Sequence, residues 1–113
     1  MKKNESQDWV VGGIYLNPSE DGSFAVFKVT AVDDGGVHVR LFANKYRNRP
    51  SDIEIEKLTV GGIGWPEGTG IGHLPLSFEA IGKWTVEFVK QVPVTDDEFD
   101  DYDMWKEDIG TYW

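Results

Sequence analysis

The stretch FAVFKVTAVDDGGVHVRLFA, residues 24–43, constrains the fold more than any other part of the chain. Two runs rich in β-branched and aromatic residues flank DDGG, whose glycines tolerate the positive φ angles of a tight hairpin. In the second run Val37, Val39 and Leu41 alternate with His38, Arg40 and Phe42. That period of two puts one set into a core and leaves the other facing solvent or a partner. An antiparallel sheet is therefore the expected scaffold.

The flanking segments extend the same reading. WVVGGIYL, residues 9–16, predicts a first strand with a bend at Gly12 and Gly13. NPSEDGS then supplies a turn. NKYRNRPSD, residues 44–52, reads as a polar loop, since Pro50 opposes a central strand. IEIEKLTV, residues 53–60, predicts a short charged edge strand with Ile53, Ile55 and Leu58 inward. Ser77 is placed to cap a short helix carrying Phe78 and Ile81 that ends at Gly82, and TVEFVKQV, residues 85–92, alternates as a further strand.

Near the C-terminus, Thr95 and Glu98 have capping-box spacing, and Asp96 and Asp97 stand where a helix N-terminus favours negative charge. Phe99, Tyr102 and Trp105 would form one apolar stripe on that helix, with Met104 beside it. The fold expectation is mainly β with a helical minority (α+β). It is either an SH3-like, partly open barrel with a short helix and a C-terminal acidic amphipathic helix, or a flatter, small bent antiparallel sheet with a helix across it. No repeat or linker divides residues 1–113, so a single domain is expected, with 1–8 as a flexible lead-in.

Charge placement bears on function. Residues 96–113 hold eight acids against Lys106, a net −7 of the chain's −9, and leave −2 to everything else. A contrasting basic stretch comprises Arg40, Lys45, Arg47 and Arg49. An acidic end of this kind suits a basic partner. There is no cysteine, which excludes disulfides, thiolate metal sites and a cysteine nucleophile. Without an apolar run of signal-peptide or membrane-span length, no membrane role is expected and the cytoplasm is the expected compartment.

GGIGWPEGTGIG, residues 61–72, has six glycines but no Lys followed by Ser or Thr, and Pro75 opposes a helix opening after it. It reads as a presentation or hinge loop, with Trp65 as an aromatic anchor for another protein. His38 and His73 are the only imidazoles, and neither has the carboxylate spacing of a metal motif. TDDEFDDYD lacks the glycine and terminal glutamate of a calcium loop. Ser77 is explained as a cap and lacks a nucleophile elbow, so hydrolysis through a histidine would need His73 to meet Glu67 or Glu79 in a pocket. No cofactor or metal is expected. RLFANKYRNR interleaves basic and aromatic residues, but four cations on an acidic chain make nucleic acid a weak candidate.

The runs VGGIYLNPSEDGSFAVFKVTAVDDGGVHVRLFANKYRNRP, GIGHLPLSFEAIGKW and VPVTDDEFDDYDMWKED together resemble a family of small bacterial SH3-like proteins without an assigned activity. They are also similar to immunity-type proteins of bacterial toxin systems. The resemblance implies a cytoplasmic inhibitor that binds one basic protein, a toxin, and carries over no catalytic residue. The expectation is thus a non-enzymatic binding module using Trp65, Asp97, Asp100, Asp101 and Asp103. The alternative is an SH3-like reader that takes a peptide or small ligand in an aromatic groove of Tyr15, Phe42 and Tyr46.

Overall fold

The expected hairpin lies inside an open antiparallel sheet. A computed structural model describes residues 9–61 and 70–108, apart from the side chains of Phe99, Asp101, Glu107 and Asp108. Strands β1 (Gly13–Pro18), β2 (Phe24–Val32), β3 (Gly36–Tyr46), β4 (Ile71–Ser77) and β5 (Glu87–Gln91) form one sheet in the order β4-β3-β2-β1-β5. The first four strands make a meander, and β5 returns antiparallel beside β1. Gly12, at φ +86°, lies against β5's end, where a Cβ would stand 2.3 Å from the Val92 carbonyl oxygen.

Two expectations about the strands need correction. Residues 44–46 belong to β3 and not to a loop, because Lys45 and Tyr46 pair with Ala25 and Phe24. Residues 53–60 do not form the edge strand; Ile55–Lys57 is a 3-10 turn closed by bonds from Lys57 N to Glu54 O and Leu58 N to Ile55 O. Ile53, Ile55 and Leu58 do pack inward, so the apolar spacing marked the right residues on the wrong backbone. The fourth strand is instead β4, where Pro75 is tolerated because the strand lies at the sheet's edge.

Both faces of the sheet are covered. On one, Tyr15, Phe27, Val29, Val37, Val39, Leu76 and Ile81 form an apolar cluster. Its aromatic rings interlock, with Tyr15 stacked on Phe27 at 5.2 Å and Trp84 edge-on to Phe27 at 5.4 Å. Helix α1 (Phe78–Gly82) supplies Ile81 to this cluster and starts as expected, with Ser77 Oγ accepting from Ala80 N at 3.1 Å.

On the other face, Ile14, Leu16, Val26 and Ile53 make a smaller apolar cluster. Beyond it the buried positions turn polar: Lys28 and His38 lie beneath helix α2 (Asp96–Asp108). The capping box at the start of α2 forms in both directions, Thr95 N to Glu98 Oε1 at 2.9 Å and Glu98 N to Thr95 Oγ1 at 3.3 Å.

Candidate functional site

The polar face under α2 is organised by His38, which alternation had placed toward solvent or a partner, and by Lys28, which carried no sequence expectation. Lys28 projects from the middle of β2 and is 4% exposed. A buried ammonium is costly unless its donors are used. Here Lys28 Nζ donates to the Pro93 carbonyl at 2.7 Å and to Glu98 Oε1 at 2.8 Å. Burial alone would push the Glu98 carboxyl up, but the Lys28 bond, the Thr95 amide and nearby positive charge bring it below the ordinary carboxylate range. The first turn of α2 is thereby tied to the sheet.

The second anchor is a hydrogen-bonded chain of four side chains. Asp33 sits in the β2–β3 turn, where its Oδ1 accepts from the amides of Gly35 at 3.0 Å and Gly36 at 3.1 Å. Its Oδ2 accepts from the Tyr102 hydroxyl at 3.1 Å and bonds to His38 Nε2 at 3.1 Å. His38 Nδ1 in turn meets His73 Nε2 at 2.9 Å, with the two ring planes parallel to within 1°. A carboxylate oxygen only accepts, so neutral His38 carries its proton on Nε2 and its Nδ1 accepts from His73. The order of the chain is His73, His38, Asp33, Tyr102.

Aromatic rings of α2 close over this chain. Trp105 stands edge-on to His38 at 4.5 Å and to His73 at 5.9 Å, and Tyr102 is edge-on to His38 at 4.6 Å. His38 has no exposed surface. Burial therefore lowers its pKa from the usual imidazole value, against the opposing hydrogen bond and charge of Asp33. Burial and Asp33 together raise the Tyr102 phenol, which stays a donor. Among the described residues, every buried side-chain nitrogen and oxygen has a partner.

The inward residues of α2 are thus Glu98, Tyr102 and Trp105, while Met104, expected beside the stripe, is 62% exposed. Asp97, Asp100 and Asp103 are exposed on the outside, and among the described residues no cation pairs with them. Comparison of the chain with protein-family models, with curated proteins and with solved structures finds no match. The functional reading consequently rests on this geometry.

The other sequence candidates fall in different places. Trp65 and Glu67 lie outside the described residues, as does the side chain of Asp101. Gly70 N donates to the Val60 carbonyl at 2.7 Å, so the glycine-rich stretch leaves and returns at one point. Tyr15 is 2% exposed within one cluster, whereas Phe42 and Tyr46 pack against the other, so the three rings do not share a groove. Of the basic stretch, Arg40 Nε donates to the Gly72 carbonyl at 3.3 Å and Arg49 Nε to Glu87 at 2.9 Å, which spends part of its charge internally.

The two histidines and Asp33 are bonded to one another and do not converge on a common point; among the described residues no group of three potential ligands could hold a metal ion. Nor is any described helix long and apolar enough to cross a membrane. The Asp33–His38–His73 chain had a sequence signal that was missed: an aspartate opening a hairpin and a histidine three places into the next strand share one end of the sheet.

Proposed function

We propose that the chain is a non-enzymatic binding module that presents the outer face of α2 to a basic protein, in the manner of an immunity protein that neutralises a toxin. One observation carries this reading. Helix α2 is held by its own buried side chains, so Asp97, Asp100 and Asp103 are fixed in place yet uncommitted to a cation among the described residues. Preorganised like charges on a rigid element steer a cationic partner and fix its register. Exposed Met104, next to Asp103, offers an adaptable apolar contact amid the charge.

The meander closed by a fifth strand beside the first, with a helical turn before it, is the arrangement we read as a partly open SH3-like barrel. The aromatic-groove reading loses support because its rings lie in two clusters on opposite faces.

The test is capture of partners from the native lysate by the tagged chain, with salt-stepped washes and mass spectrometry, beside the variant D97K/D100K. A basic protein held by the wild type, released by salt and absent from the variant is the expected result. Equal capture by both would remove α2 as the binding surface.

A further inference from the structure

The histidine pair under α2 limits how much charge the docked helix can tolerate. Its two facing ring nitrogens are 2.9 Å apart, which leaves room for one proton between them. The docked pair can carry one positive charge with that bond intact, shared with the Asp33 carboxylate on the far side of His38. It cannot carry two, because both facing nitrogens would then bear hydrogens. Once α2 leaves, both imidazoles reach water and each is free to protonate. The released state therefore binds at least one more proton than the docked state in acid.

We propose that α2 is an acid-released strap, docked while the His38–His73 bond stands and let go when both rings become charged. The inference concerns the docking of α2 itself and does not require the basic partner to exist.

The surroundings set the direction and the window. Among the described residues Asp33 in the hairpin turn bonds His38 Nε2 and Tyr102 on α2 stands edge-on to its ring; Asp34 and Asp103 act on the Tyr102 phenol, and Arg40 on β3 donates to the Gly72 carbonyl next to His73 in the chain. Asp33 favours the imidazolium of His38, and burial under Trp105 outweighs it. A histidine held below its unfolded pKa of 6.5 gives docking its full stability above that value. The stability falls as pH drops beneath 6.5 toward the lower folded value. The other anchor responds later, because Glu98 stays ionised to below its ordinary 4.5. Between those limits the histidines are the groups of this anchor that change.

The test is hydrogen–deuterium exchange of the full chain from pH 7.5 to pH 4.5, corrected for intrinsic rates, read separately for α2 and for β2 and β3. One additional proton taken up on release predicts that the opening constant of α2 rises about thirtyfold by pH 5, with the sheet's protection unchanged. In parallel, NMR titration of the histidine rings should place the charging of His38 at the same midpoint as helix opening. The variant His73→Gln puts opposite His38 Nδ1 an amide that can turn to accept as well as donate, so the docked state can hold a charged His38 with that bond intact, and the rise should be smaller than in the wild type.

Three results would overturn the proposal. They are protection of α2 that persists while both rings charge, loss that begins only below pH 4.5, or an undiminished rise in H73Q whose sheet remains protected. The first two need no variant, so misfolding of H73Q cannot shelter the idea.

Discussion

The two faces of the sheet are held by different physics. Against α1, the sheet buries Phe27, Val29, Val37, Val39 and Ile81, and stability there comes from apolar area and close packing. Against α2, the same strands offer Lys28 and His38, and the helix answers with Glu98, Tyr102 and Trp105. Apolar contacts are non-directional and indifferent to proton concentration. Buried ions and imidazoles require correct partners in correct protonation states. The difference teaches that one helix completes a core while the other is attached conditionally, although both cover strands of a single sheet.

The comparison is broken most severely by emptying the apolar face. Phe27→Ala removes a ring with no exposed surface that stacks on Tyr15 and meets Trp84, and should cost about 3–5 kcal/mol in urea unfolding. The loss should be equal at pH 7.5 and pH 5.5, since no titrating group is touched. A loss that varied strongly with pH would mean that the faces are not separable.

The next largest effect tests the ionic anchor. Lys28→Met leaves Glu98 buried beside the Thr95 amide alone and should cost about 3 kcal/mol. The double change K28M/E98L should recover most of that loss, because removing both charges also removes the need to desolvate them. If the double variant is as unstable as the single one, apolar packing around the pair matters more than its charges. Equilibrium unfolding of all four members of the cycle measures the coupling directly.

The sequence made the two faces unequally legible. Residues 24–43 announced their hairpin, and Ser77 and the Thr95/Glu98 pair announced their caps, because each signal acts within a few residues of itself. Strand β4 was hidden by Pro75 and by the glycines before it, which locally argue against any strand and are tolerated only at an edge. Residues 53–60 misled because inward Ile53 and Ile55 fit period two, while the Asn44 side chain bonds the Lys57 carbonyl and the Thr59 amide and holds a turn there. His38 was placed toward solvent or a partner by the same alternation that placed Val37 and Val39 correctly, and nothing adjacent in sequence marks Lys28 or Asp33 as an anchor. Only a distant helix with matching Glu98 and Tyr102 makes those positions interior, and that match is tertiary.

A smaller effect separates the two helix starts. Thr95→Ala removes the hydroxyl that accepts from Glu98 N and loosens the residue gripping Lys28, so about 1–2 kcal/mol is expected. Ser77→Ala breaks a comparable cap on α1, but Ile81 stays in the apolar cluster, and about 0.5–1 kcal/mol is expected. Exchange rates should show the Thr95 variant opening α2 selectively, and the Ser77 variant opening α1 without disturbing α2.

The outer surface of α2 should contribute least to stability. D97K/D100K alters exposed positions that make no described ion pair, so the melting temperature should move by about 2 °C or less. Placing lysine in the first turn opposes the helix dipole, which sets the direction of that small shift as destabilising. The same change weakens the field that a cationic partner would meet, so association should slow and become less salt-dependent while the fold persists. A large drop in melting temperature would instead tie these aspartates to the docking of α2, and the helix would then have no face left over for a partner.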